Sequence, residues 1–242
     1  LSLHDALPIS VQEFGRLDII VNNAGYTWDG VVQNITDEMW DAMIDVHLTA
    51  PFKIIRAATP YMREAGKREM AEGKRVHRKI INVSSTSGVA GNPGQANYAA
   101  GKMGIVGVTK TLAKEWGRFN VNVNAVAYGF IETRLTAAKE SQSPVHVGEN
   151  EIQMGIPEQM RQMAMNFIPL GRAGTPEEAA GPVLFLASPQ ARFADTHARI
   201  GVAPGHPRHP RWPRRPPAGR GRALLDPRRR GGARLRATPD KA

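Results

Sequence analysis

The chain of 242 residues has no cysteine. That absence removes disulfides, thiolate nucleophiles and thiolate metal ligands, and it is compatible with a reducing cytoplasm. No apolar run approaches the roughly 20 residues needed to span a bilayer, and Leu1 to Ser10 lack the basic start and long apolar centre of a secretory signal. A soluble cytoplasmic protein is expected. Acidic residues are scarce at one end: residues 197–242 hold 2 of the 22 carboxylates but 13 of the 32 lysines and arginines. The net charge of +10 therefore belongs to the tail, at +11, and the body is near −1. Eight of the 18 prolines also lie beyond residue 196, a composition that buries too little apolar surface to offset chain ordering, so residues 197–242 are expected to be a disordered Arg/Pro/Gly-rich tail. Its clusters Pro213-Arg214-Arg215 and Arg228-Arg229-Arg230 would neutralise phosphates. Only Trp212 is available to stack on a base, however, and a frameshift in a GC-rich gene yields the same mixture, so a nucleic-acid partner is not expected.

The body alternates strand and helix patterns, which points to one α/β domain with a parallel sheet. Strands are expected at Leu17 to Val21, Ile80 to Val83 and Val121 to Val126. Thr36-Asp37-Glu38-Met39 has the form of a helix start, and the helix it opens is expected to continue, with a bend at Pro51, to about Glu64. Another helix is expected from Asn97 to Trp116. Between them Lys67 to Lys79 reads as a solvated charged loop. Thr175-Pro176-Glu177-Glu178 is a capping-box start for a helix to Leu186. Arg134 to Leu170 is long enough for a mobile lid, in which Met154, Met160, Met163 and Met165 either line an apolar pocket or pack as ordinary helix residues.

Three side chains point to carbonyl chemistry. Tyr98 and Lys102 are four residues apart at the start of a helical pattern, so they share one face about a turn apart. A phenol titrates near ~10, and an adjacent ammonium favours the phenolate, which would bring Tyr98 towards the range of a general acid or base. Ser85 ends the apolar run that starts at Ile80, and the carboxyl ends of parallel strands face the ligand crevice of an open α/β sheet. Its hydroxyl is available to hold a substrate oxygen.

Ser85, Tyr98 and Lys102 at this spacing resemble the short-chain dehydrogenase/reductase family, and within it the 3-oxoacyl-(acyl-carrier-protein) reductase-like members. Further segments agree in order: Asn22-Asn23-Ala24-Gly25 after a strand, Gly94-Gln95-Ala96-Asn97-Tyr98-Ala99-Ala100 before the lysine, and Gly129-Phe130-Ile131-Glu132-Thr133 after the next strand. The resemblance runs from about Phe14 to Phe193. It implies a partial Rossmann-like doubly wound parallel sheet over residues 11–196, preceded by a non-family segment at 1–10. The first strands and the family's Thr-Gly-x-x-x-Gly-x-Gly turn have no counterpart in the sequence. Because that turn binds the pyrophosphate at a helix amino terminus, the family domain is expected to be truncated, out of frame after about 196, and inactive as this chain alone.

The resemblance also implies an NADP(H)- or NAD(H)-dependent oxidoreductase that reduces a ketone, foremost a 3-oxoacyl thioester, with no metal in the site. A secondary-alcohol or steroid-type dehydrogenase, or a non-catalytic scaffold, are the competing readings. Ser85 would hold the carbonyl oxygen, Tyr98 donate the proton, and Lys102 bind the nicotinamide ribose. Asn23, Ala24 and Gly25 would follow the adenosine side, and Ile131 and Thr133 the carboxamide. The two long helices imply a dimer or tetramer of identical subunits. His47, in Val46-His47-Leu48-Thr49-Ala50, stands where the family has an asparagine whose main chain holds a water of the proton relay; the relay is either lost here or kept through the carbonyl or the imidazole itself. Tyr128 stands where the family has proline, and its ring is expected beside the cofactor.

Overall fold

The computed structural model describes residues 3–147, 150–193 and 201–202. In chain order its regular elements are α1 (Leu3–Phe14), β1 (Ile19–Asn22), α2 (Asp37–Ile44), α3 (Ala50–Ala57), α4 (Thr59–Ala71), β2 (Arg78–Ser85), α5 (Thr86–Ala90), α6 (Ala96–Trp116), β3 (Val121–Tyr128), β4 (Val145–Val147), β5 (Asn150–Ile152), α7 (Glu158–Asn166), α8 (Pro176–Ala187) and β6 (Gly201–Val202). Four strands form a parallel sheet in the order β1-β2-β3-β6. The register pairs Ile20 with Ile80 and Ile80 with Val123. Beside it, β4 and β5 make a small antiparallel hairpin.

Alternation along β2 and β3 assigns the two faces. Ile80, Val121 and Val123 join Ile55, Met62, Ala113 and Trp116 in one core beneath α3, α4 and α6. On the same face Asn82 Nδ2 donates to Thr109 Oγ1 of α6 at 2.8 Å, and Ser84 Oγ to the Lys102 carbonyl at 2.6 Å. The opposite face carries Lys79, whose Nζ donates to Asn122 Oδ1 at 2.5 Å and to the Ala191 carbonyl, just past α8, at 3.3 Å. The sheet is thus covered on both sides, as a doubly wound fold requires. β1 is the outer strand, and Ile19 and Val21 on it remain exposed. No helix among the described residues is long and apolar enough to cross a membrane.

Several expectations change at this level. The segment 67–79 is not a solvated loop: α4 continues through it to Ala71, and Arg78 and Lys79 are each 2% exposed inside β2. Arg78 is compensated by a two-pronged pair with Glu69 of α4, at 2.6 and 2.9 Å, partners that make a buried guanidinium tolerable. The helix opened by Thr36, whose hydroxyl accepts from Met39 N, is not one bent rod. It passes through a π-turn at Asp45–Thr49, where the Ala50 N–H donates to the Asp45 carbonyl, and breaks at Ala58 before α4. Pro51 explains the widening, since it has no N–H and its ring would strike the carbonyl four residues back in an α-helix. Residues 3–10, within the segment expected to be foreign to the family, form the first part of α1, and Leu7 packs on the main core. The tail expected to be disordered lies outside the described residues, apart from Gly201–Val202, which pair with Val126 and Ala127.

The π-turn lies directly against α6. A Cβ at residue 101 would sit 2.9 Å from His47 Cβ and 3.3 Å from the Met43 carbonyl. Glycine is therefore the residue that permits the approach. Gly101→Ala is expected to destabilise the fold by about 1–3 kcal/mol, the usual cost of overpacking, read as a lower urea midpoint at unchanged slope; an unchanged midpoint would mean that the two helices separate freely.

Candidate active site

A cavity of about 1040 Å³ opens at the carboxyl ends of β1, β2 and β3. Ser85, the last residue of β2, reaches it as the N-cap of α5, with its hydroxyl accepting from Ser87 N at 3.1 Å. Tyr98 and Lys102 reach it from the first turns of α6. The start of α6 is held by Asn97, fully buried, whose Nδ2 donates to the carbonyls of Trp28 and Met39 at 3.1 Å each while its Oδ1 accepts from Tyr98 N at 2.8 Å. Asn97 lies within the motif quoted above, but its role as an anchor was not legible there because both carbonyl partners are remote in sequence. Lys102 Nζ donates to the Val83 carbonyl at 2.8 Å and lies 5.6 Å from the Tyr98 ring centre.

Burial sets the electrostatics. It pushes the Tyr98 phenol up, the Asp29 charge adds to that, and a hydrogen bond with Ser85 opposes it. The expected lowering of Tyr98 by Lys102 is thus corrected: the ammonium is turned to a backbone carbonyl, and desolvation dominates. The same desolvation brings Lys102 down to about 8. The apolar, half-enclosed site favours the neutral form of both groups.

His47 lines the cavity at 3% exposure, with its ring edge-on to Tyr98 and the centres 4.8 Å apart. Its Nε2 is 2.7 Å from the Tyr26 carbonyl; since a carbonyl only accepts, Nε2 carries the proton and Nδ1 is the bare acceptor. Nδ1 is buried without a hydrogen-bond partner. A Cβ at Gly25 would collide with His47 Cε1, so the turn that follows β1 closes over the imidazole only as glycine.

The remaining candidates divide. Asn23, Gly25, Ile131 and Thr133 line the cavity, whereas Ala24 does not. Tyr128 lines it too, but its hydroxyl donates to the Ala179 carbonyl of α8, so the phenol is tied to a helix. The methionine wall is not formed. Met154 is buried elsewhere, Met160 and Met163 are about half exposed, and the same segment contributes Ala164, Phe167 and Ile168 to the cavity instead. Asp29, which lies in no quoted motif, and Gln95, a motif member to which no role was assigned, also line the cavity and are hydrogen-bonded to each other.

The model of the family described as "Enoyl-(Acyl carrier protein) reductase" matches residues 2–198. The chain belongs to the short-chain dehydrogenase/reductase family. As a member of this family it is an NAD(P)-dependent oxidoreductase. Among its short-chain dehydrogenase/reductase relatives is a 3-oxoacyl-(acyl-carrier-protein) reductase FabG of Thermotoga maritima, 43% identical over 195 residues that make up 81% of this chain and 68% of the relative. Proteins of the same name from Chlamydia muridarum and Vibrio cholerae are 36% and 37% identical, over 80% and 79% of this chain and 68% of each relative.

Burial holds His47 down to about 4, with the Lys102 charge acting in the same direction and the Tyr26 carbonyl against it. Unfolded, the imidazole takes a proton near 6.5; folded, it resists until about 4. Its contribution is complete above 6.5 and is lost as pH falls from 6.5 to about 4, an effect of roughly 3 kcal/mol. Urea unfolding at pH 7 and pH 4.5 should therefore show a larger acid loss for the wild-type chain than for His47→Asn. Equal losses would place the imidazole in a hydrated environment.

Proposed function

We propose that this polypeptide carries the reducing face of a 3-oxoacyl-thioester reductase that uses NADP(H) or NAD(H). The observation that carries the reading is the convergence of Ser85, Tyr98 and Lys102 on one cavity with an apolar wall. That wall, from Phe167 and Ile168 to Val183, Leu184 and Ala187, suits an alkyl chain. The names of the FabG relatives support the substrate class.

The residues fit a nicotinamide cofactor by their donor set. Lys102 has three N–H donors and only one, to Val83, is engaged in the bonds described above, which leaves others for ribose hydroxyls. Asn23 and Gly25 would follow the adenosine side, and Ile131 and Thr133 the carboxamide. When bound, the cofactor supplies the hydride that the protein itself lacks.

Tyr98 is the proton donor. Its phenol is kept protonated by burial, which suits an acid that yields its proton only as charge develops on the carbonyl oxygen. Ser85 donates to that same oxygen and orients it. Lys102 holds the ribose and stabilises the phenolate left behind. His47 is a positioning residue: its imidazole, fixed by Tyr26, buttresses the Tyr98 ring and offers Nδ1 to a water or a substrate donor. A second copy of the chain would cover Phe52 of α3 and Met103 of α6, both 45% exposed, and a homo-oligomer belongs to this reading.

Since the 242 residues contain no glycine-rich pyrophosphate turn, the chain alone is expected to bind NADPH and NADH weakly and to turn over poorly. Joined to a segment that supplies that turn, it should oxidise cofactor with 3-oxoacyl thioesters, and Tyr98→Phe should lower the rate by ~10²- to 10⁴-fold with cofactor binding retained. Oxidation of secondary alcohols or steroids in place of any thioester reduction would reassign the substrate. Near wild-type rates for Tyr98→Phe would remove the phenol from the mechanism.

A further inference from the structure

Among the described residues lining the cavity, Asp29 is the single carboxylate and Lys102 the single side chain of the lysine and arginine type. Asp29 is fixed in place. Gln95 Nε2 donates to its Oδ2 at 2.9 Å, Asn92 Nδ2 donates to Gln95 Oε1 at 2.9 Å, and the Gly30 N–H donates to the Gly94 carbonyl at 2.8 Å. Two loops, one following β1 and the other preceding α6, are thereby tied across the cavity mouth. Gln95 is the N-cap of α6, three residues ahead of Tyr98. Asn92, Gln95, Asp29 and Thr27 give the lining a polar part, distinct from the apolar part formed by Ile168, Val183 and Leu184.

The polar and apolar parts of the lining would orient a 3-oxoacyl substrate. With its C3 oxygen between Ser85 and Tyr98 and its alkyl arm on the apolar part, the C1 group, two carbons away on the other arm, would be left to the polar part. A thioester there is neutral. A free 3-oxo acid places a carboxylate beside Asp29 instead. We propose that Asp29, held by Gln95, is a specificity-determining residue that rejects free 3-oxo acids and admits their neutral thioesters.

Two groups favour the charged form of Asp29. Gln95 presents a donor to the carboxylate, which suits its ionised form. Loss of hydration pushes the Asp29 carboxyl up overall, and Gln95 and Lys139 act against that in favour of the charge. Its field also reaches the reacting group, since it acts on the Tyr98 phenol. Lys139, and not Lys102, is the cation whose charge acts on Asp29. Like charges a few ångströms apart in a half-enclosed site discriminate by roughly tenfold or more.

The inference rests on the thioester-reductase reading, and calorimetric titration of the full chain separates the two. The probes are 3-oxooctanoate and its N-acetylcysteamine thioester at neutral pH. The wild-type chain should bind the thioester at least about tenfold tighter than the acid. Asp29→Asn, which still accepts from Gln95 but carries no charge, should narrow the ratio to within about threefold through tighter binding of the acid. Asp29→Glu, with the charge restored, should recover the preference. A ratio unchanged in Asp29→Asn, or an equal loss for both probes, would make Asp29 a loop tie only and overturn the inference while leaving the reductase reading intact. Binding of neither probe by the wild-type chain would overturn the reading of the cavity, and this inference with it.

Discussion

Everything at this site depends on how close the π-turn at Asp45–Thr49 lies to α6. The contact is made at Gly101, where the backbone of α6 meets the Cβ of His47 and the carbonyl of Met43. It brings an imidazole against Tyr98 from one side, while Asn97, bonded to the carbonyls of Trp28 and Met39, fixes the beginning of the same helix. With α6 thus held, Tyr98 and Lys102 inherit their positions from its pitch. The sheet contributes the other half, because β2 ends at Ser85 and offers Val83 to the lysine. Packing therefore comes first and the chemistry follows from it.

The electrostatic character of the site is a by-product of that packing. One cause, loss of hydration, acts on three different groups and pushes each towards its neutral form: up for the Tyr98 phenol, down for the Lys102 ammonium and the His47 imidazole. A neutral phenol is an acid in waiting, and a lysine brought near neutrality responds to an incoming anion more sharply than an exposed one. The same low polarity makes a lone carboxylate at the mouth felt further away than it would be in water.

Much of this architecture was legible in local sequence. β2 and β3 followed from their apolar runs, the limits of α6 from its pattern, and α8 from the capping box at Thr175, which forms as written. Charge deceived where its partner was distant. Arg78 and Lys79 look like the end of a solvated run, because nothing nearby announces that Glu69 of α4 and Asn122 of β3 will receive them. Pro51 signalled a bend but not its form, since a proline can be met by a kink, a break or a widened turn. In the site, the spacing of Ser85, Tyr98 and Lys102 was visible, whereas Asp29 was not. It meets Gln95 across 66 positions, and no local pattern encodes such a meeting. The direction of the Tyr98 shift was missed for a related reason: spacing places a lysine near a phenol, but only packing decides which atom the ammonium faces.

The widened turn makes the segment from the Thr36 cap to Pro51 a counted length. Each residue advances a helix by about 100°, so loss of one residue from Asp45–Thr49 would let the turn close to ordinary pitch and rotate everything before it relative to everything after. His47 and Met43 would then no longer share the face that meets Gly101. Substitutions along this stretch change surfaces one at a time, while a single deletion would rephase the whole helix against α6. The fold is therefore more sensitive to the number of residues in this stretch than to their identity at its exposed positions.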